Sequence, residues 1–187
     1  MSVRRLLLGT VGALAILAGI GLVIEERPVA LVPPSSPSAA SSPTAPTATA
    51  PPRIPPGYRV QIPRLAIDLP IEEGDIQRDT VVQDTPESFA FHLPGTAIPA
   101  SGSNCYLYAH ARRGMFLSLW NAKEGDEVFI STPDGKALRY LVREVHPRVP
   151  PDDVAWIQPT PSEQLTLQTS TGPNRTDARF VVVATPG

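Results

Sequence analysis

From Tyr58 to the end of the chain, apolar residues occur in short runs rich in Val, Ile, Leu and Tyr, and these runs are separated by Pro, Gly and Asp. Runs of this length and composition are typical of β-strands. A doubly wound α/β fold needs amphipathic helices of about 10 to 15 residues between its strands, and the pattern contains none. The sequence therefore predicts a mainly β domain, folded as a closed antiparallel barrel. The predicted strands are Tyr58 to Ile62, Asn104 to Ala109, Glu127 to Thr132, Leu138 to Val145, Gln164 to Ser170 and Arg179 to Ala184.

Local signals add one hairpin and two short helical turns to these strands. The segment Thr132-Pro133-Asp134-Gly135-Lys136 predicts a hairpin turn, because proline presets one dihedral angle and glycine accepts a positive φ. One helical turn is predicted from Met115 to Asn121. A second is predicted to begin at Asp152, whose side chain can cap the backbone amides of Val154 and Ala155.

The N-terminal part of the chain has the pattern of a membrane anchor. Residues 6–24 form an uncharged apolar run that is long enough to span a bilayer. Arg4 and Arg5 precede this run, which predicts a cytoplasmic N-terminus and a single-pass protein with its domain on the extracytoplasmic side of the cell membrane. Residues 1–27 are interpreted as the anchor. The alternative is a cleaved signal peptide, whose apolar core is usually about 7 to 15 residues long.

Residues 28–57 consist largely of Pro, Ala, Ser and Thr. Such a composition offers too few large apolar side chains to offset the entropy lost on folding, so it predicts a disordered linker. Proline-rich chain extends by about 3.1 Å per residue, which would hold a domain comprising residues 58–187 up to about 90 Å from the membrane.

Composition excludes several functional classes. The chain has 16 basic and 18 acidic side chains, giving a net charge of -2, and this balance argues against a nucleic-acid partner. Cys105 is the single cysteine, so an intrachain disulfide is impossible, and three widely spaced histidines do not resemble a zinc cluster. Glu72, Glu73 and Asp75 could form a weak calcium site, but adjacent acidic residues on a loop are usually solvated. The sequence predicts no cofactor and no metal.

Three polar residues lie at the ends of predicted strands. His110 follows the apolar strand that ends at Ala109, Ser170 ends the strand that begins at Gln164, and Arg179 begins the last strand. Taken singly, each has an ordinary structural explanation. His110 could be a histidine with its hydrogen bonds satisfied, Ser170 an ordinary hydroxyl at a strand end, and Arg179 a charged side chain that solvates a sheet edge. Their interest comes from their order and surroundings.

The segments that surround these residues resemble the sortase family over nearly all of residues 60 to 184. The matching segments are Ile62-Pro63 with Leu69-Pro70-Ile71, then Pro94-Gly95-Thr96, then Tyr108-Ala109-His110-Ala111-Arg112, then Gly125-Asp126-Glu127-Val128, and finally Leu165-Thr166-Leu167-Gln168-Thr169-Ser170 with Arg179. The family carries a catalytic cysteine at the position of Ser170.

The resemblance implies a sortase-type β-barrel and a transpeptidase mechanism. In that mechanism the residue at 170 attacks the carbonyl of a threonine in the sorting-signal peptide of a surface protein, and an amine or cell-wall acceptor then resolves the acyl-enzyme. The resemblance assigns proton donation to the leaving amine to His110, and stabilisation of the developing oxyanion to Arg179.

Serine at position 170 leaves three hypotheses open. The first is a transpeptidase or peptidase that uses Ser170, which would need a neutral histidine as general base because a serine hydroxyl does not ionise near neutral pH. The second is a catalytically inactive sortase-fold module that binds a peptide or a wall component. The third is an ordinary sortase whose cysteine has been replaced by serine to trap substrate. Cys105 lies within an apolar strand and is predicted to be a buried thiol, not a substitute nucleophile.

Overall fold

The computed structural model of the chain describes residues 52–75 and 86–187. In these residues eight strands form a closed barrel in the order β1-β2-β3-β4-β7-β8-β6-β5. The predicted closed β-barrel is therefore confirmed. The strands are β1 (Arg59–Ile62), β2 (Ile67–Glu73), β3 (Ala90–His92), β4 (Asn104–Tyr108), β5 (Glu127–Ser131), β6 (Ala137–Val149), β7 (Gln164–Ser170) and β8 (Arg179–Pro186).

The barrel is not antiparallel throughout, and this corrects the sequence-based prediction. β2 pairs with β3 in parallel, and β4 pairs with β7 in parallel, while the other neighbouring strands are antiparallel. Parallel neighbours need a long connection to bring the chain back to the same end of the sheet. The connection from β4 to β7 contains β5, β6 and two 3-10 helices, Phe116–Asn121 and Val154–Ile157.

Alternation along the strands fills the interior of the barrel. Leu107, Leu165, Leu167 and Val182 have no exposed surface, and they belong to one large hydrophobic cluster. Cys105 is 2% exposed within that cluster, so its predicted burial is confirmed. Intervening side chains on the same strands point away from this core, which is what period-2 patterning requires.

Turns and short helices largely follow the local signals, with one correction. The β5–β6 hairpin closes with a hydrogen bond from Thr132 N to Lys136 O, and Gly135 takes a φ of 82°. The second helical turn is the 3-10 helix Val154–Ile157, and its N-cap lies one residue later than predicted. Its capping residue is Asp153, not Asp152, because the Asp153 carboxylate accepts the hydrogen bond from Ala155 N at 3.0 Å.

Folded structure begins upstream of the predicted domain boundary. Ile54 falls in the segment predicted to be a linker, yet it is 6% exposed and belongs to the hydrophobic core. Its backbone N–H donates to Glu73 Oε2 at 2.9 Å, and the same oxygen lies 2.8 Å from Nδ1 of the buried His92. Ile54 therefore contributes contacts to the barrel.

The predicted anchor, residues 1–27, and the part of the linker up to residue 51 lie outside the described residues. Across residues 52–75 and 86–187, no helix has the length and apolarity needed to cross a membrane.

Candidate active site

Strand pairing brings the three predicted site residues to neighbouring positions. β4 and β7 pair with an offset of 60 residues, from Asn104 opposite Gln164 to Tyr108 opposite Gln168. Continuing that offset, His110 follows the end of β4 at the level of Ser170. Ser170 is also the register partner of Arg179, at the start of β8. The three residues thus lie at the ends of three adjacent strands.

An open cleft with a volume of about 800 Å³ covers these strand ends, and all three residues line it. The floor consists of side chains that point away from the barrel core. One wall is the connection from β6 to β7, where Trp156 packs on Val149 and Val181. The floor side chains on the three strands are Tyr106, Tyr108, Gln168, Ser170, Arg179 and Val181.

Two hydrogen bonds that the sequence did not reveal hold the backbone on either side of the site. Thr169 Oγ1 donates to Ala109 O at 2.9 Å, just beyond the last paired residues of β4 and β7, and Ala109 N donates to Gln168 O at 3.2 Å. Trp120 Nε1 donates to Ser170 O at 3.2 Å, and its ring stands at the edge of the cleft with 42% of its surface exposed. These contacts connect the His110 loop, the Ser170 strand and the helix Phe116–Asn121.

The side chain of Arg179 is held by backbone carbonyl groups. Its Nη1 donates to Asp177 O at 2.8 Å and its Nη2 donates to Arg175 O at 3.1 Å. Neutral carbonyl acceptors orient the guanidinium without compensating its charge. The guanidinium therefore keeps its positive charge at the start of β8, whose first residue is the register partner of Ser170.

A carboxylate also lines the cleft, but it is engaged elsewhere. Asp153 accepts from Ala155 N through Oδ1 and from Trp156 Nε1 through Oδ2, each at 3.0 Å. These bonds direct the carboxylate into the wall formed by its own helix. Asp153 therefore shapes the cleft by fixing the ring of Trp156.

The matching family model is the sortase domain, and it covers residues 60–187. This chain belongs to the sortase family. The resemblance stated from its motifs is therefore confirmed, and the cleft described above is the cleft of a sortase fold. A search of curated proteins found no match.

Solved structures of other sortases have similar folds. A lid mutant of sortase A from Corynebacterium diphtheriae is 29% identical, with a TM-score of 0.59 over 76% of this chain and 74% of that one. Sortase C-1 from Actinomyces oris is 27% identical, with a TM-score of 0.58 over 70% of this chain and 72% of that one. A Clostridium perfringens sortase D5 transpeptidase, at 23% identity, shares the fold with a TM-score of 0.59 over 72% and 82%.

The chemistry that this sortase cleft can support follows from its groups. Ser170 supplies a hydroxyl, His110 can exchange a proton, and Arg179 carries a fixed positive charge. Burial raises the pKa of Tyr106 on the cleft floor, while the charge of Arg179 opposes that rise. Within the described part of the chain, no group of three His, Cys, Asp or Glu residues could hold a metal ion.

Proposed function

We propose that this protein binds a sorting-signal peptide of a surface protein in the cleft and transfers its acyl group at Ser170, as a membrane-anchored enzyme whose domain lies outside the cytoplasm. The observation that supports this most is the convergence of His110, Ser170 and Arg179 on one cleft from three adjacent strand ends. A peptide lying along the floor would place its carbonyl carbon near Ser170 and its carbonyl oxygen near Arg179.

In the proposed reaction, Ser170 Oγ bonds to the carbonyl carbon of the peptide to give a tetrahedral intermediate, and the peptide C–N bond breaks as this intermediate collapses. His110 takes the hydroxyl proton and delivers it to the departing amine. Arg179 stabilises the oxyanion of the tetrahedral intermediate. An amine acceptor then attacks the resulting ester, forms the new amide and returns the proton to Ser170 through His110; water in place of the amine gives hydrolysis.

A second function is favoured by the identity of residue 170. A thiol with a pKa of about 8.5 provides thiolate near neutral pH, whereas a serine hydroxyl needs proton removal during attack. A protein that keeps the cleft but lacks the thiol would bind peptides without turning them over. This inactive, peptide-binding module is the alternative to acyl transfer.

One set of variants separates the two functions. The purified full-length chain is incubated with a fluorogenic sorting-signal peptide and an amine acceptor, beside the variants Ser170→Cys and Ser170→Ala. Peptide affinity is measured in parallel by fluorescence anisotropy, and product by mass spectrometry.

Turnover by the native chain that disappears in Ser170→Ala supports acyl transfer and contradicts the inactive module. A turnover rate at least about tenfold higher in Ser170→Cys than in the native chain supports an intact cleft whose chemistry is limited by the hydroxyl. It would equally be the result expected if serine had replaced cysteine to trap substrate. Absence of both turnover and peptide binding in all three proteins would reject both functions.

A further inference from the structure

The loop between β7 and β8, residues 171–178, is organised around one carboxylate. Asp177 Oδ2 accepts the backbone N–H of Asn174 at 2.6 Å, and Asp177 N donates back to Asn174 O at 3.1 Å. At the base of the loop, Thr171 N and Oγ1 both donate to Ala178 O, at 3.0 and 2.9 Å. The loop is therefore held by its own hydrogen bonds at both its tip and its base.

Gly172 leaves the space that this carboxylate occupies. A Cβ atom at Gly172 would lie 2.4 Å from Asp177 Oδ2 and 2.8 Å from Asp177 Cγ, well inside van der Waals contact. Alanine at this position would force the Asp177 side chain to move. The packing of Gly172 and the hydrogen bond to Asn174 thus depend on the same carboxylate oxygen.

The same loop presents the two carbonyl oxygens that hold Arg179. Arg175 O accepts from Arg179 Nη2, and Asp177 O accepts from Arg179 Nη1. Both carbonyl groups belong to the loop segment that the Asp177 carboxylate closes. Guanidinium has five N–H donors, so two are fixed here and three remain for other acceptors. Arg179 is partly buried, and the loop that supplies its acceptors begins where the β7–β8 ladder ends, at the pair Ser170 and Arg179.

We propose that Asp177 is a positioning residue whose carboxylate, by closing the loop tip against Gly172, sets the orientation of the Arg179 guanidinium beside Ser170. The carboxylate acts indirectly. It accepts a hydrogen bond from Asn174 N, and the arginine donates to backbone carbonyl groups of the same loop. This arrangement avoids a direct ion pair, which would compensate the charge of Arg179. The inference rests on the proposed function, because it gives Arg179 the role of oxyanion donor.

The first test follows the arginine directly and needs no turnover. The Nε–Hε resonance of Arg179 is recorded by NMR in the full-length chain, after assignment with an Arg179→Lys variant. Asp177→Ala and Gly172→Ala are expected to shift and broaden this resonance, while Asp177→Asn, which keeps an acceptor oxygen for Asn174 N, restores it. Thr176→Ala, an exposed change in the same loop, is the matched control and leaves the resonance in place. An unchanged Arg179 resonance in Asp177→Ala would overturn the proposal.

The second test is a double-mutant cycle in the Ser170→Cys background. If Asp177 acts through Arg179, Asp177→Ala lowers kcat by about tenfold or more with KM nearly unchanged, since the arginine acts on charge that develops in the transition state. The same change in an Arg179→Ala background then costs little further activity. An equal loss in both backgrounds contradicts the proposal. A Ser170→Cys protein that neither turns over nor binds peptide contradicts the proposed function, and the resonance then decides the role of Asp177 by itself.

Discussion

Replacing Thr169 with valine tests the connection between the two strands that carry His110 and Ser170. Thr169 has no exposed surface, and its Oγ1 donates to Ala109 O at 2.9 Å just beyond the end of the β4–β7 ladder. Valine has nearly the same shape as threonine but no hydroxyl. The substitution therefore removes the donor and creates almost no cavity.

The expected cost follows from the buried carbonyl that is left behind. Ala109 is 6% exposed, so water reaches its oxygen poorly once the hydroxyl is gone. Leaving a buried acceptor unsatisfied costs about 1–3 kcal/mol, compared with about 1 kcal/mol for the net value of an ordinary hydrogen bond. Because a domain is usually stable by about 5–15 kcal/mol, Thr169→Val still folds.

The assay is guanidinium denaturation, with Thr169→Ser as the matched control. Serine keeps the hydroxyl and loses one methyl group, which costs roughly 0.8 kcal/mol. Both variants are expected to show the native m-value. Peptide affinity separates them further: serine retains it, while valine weakens it because the His110 loop loses a tie to the Ser170 strand. A Thr169→Val protein within about 0.5 kcal/mol of the native chain, with unchanged peptide affinity, would refute this reasoning.

Three further predictions concern the rest of the domain. The hydrogen bond from Arg64 lowers the pKa of Asp126, so the pair stabilises the fold above the ordinary carboxyl pKa of about 3.9 and loses that contribution as the pH falls through the lowered value. Arg64→Met therefore lowers the denaturation midpoint at pH 7, and the gap in midpoint between the variant and the native chain narrows as the pH falls below about 3.9. Leu167→Ala, at a site with no exposed surface, lowers the free energy of unfolding by about 2–5 kcal/mol. Val154→Ala, at a site that is 60% exposed, changes it by less than about 0.5 kcal/mol, and denaturation curves of the two variants measure the difference. Burial raises the pKa of the Cys105 thiol, so iodoacetamide leaves the native chain unmodified and labels it only after unfolding, as intact-mass spectrometry would show.

Sequence patterns located most strands because their apolar runs are long enough to alternate visibly. β2 was missed, since Pro70 argues against a strand. The structure explains why proline is tolerated in β2. Ile71 N donates to Tyr58 O on the β1 side, so the position of the missing Pro70 N–H faces the other side of the strand. Pairing with β3 on that side begins only at Ile71. β3 was missed because three residues, Ala90–His92, are too few to show a period.

The site could be predicted only as a set of residues. The order of motifs singled out His110, Ser170 and Arg179, but a linear pattern does not state that β4 and β7 pair in parallel. The hydrogen bonds that Thr169 and Trp120 donate depend on that pairing and on the position of the helix Phe116–Asn121. Asp177 gave no signal because its role arises from the shape of one loop and the space left at Gly172.

The 60-residue offset between β4 and β7 has a consequence for how the protein folds. Ser170 and Arg179 come together when one short loop closes, which costs little chain entropy and is fast. His110 comes close to them only after the chain between β4 and β7 has been ordered. We therefore expect refolding to form the β7–β8 hairpin before the cleft. An intermediate in this order would contain Ser170 and Arg179 in register and still lack a histidine beside them.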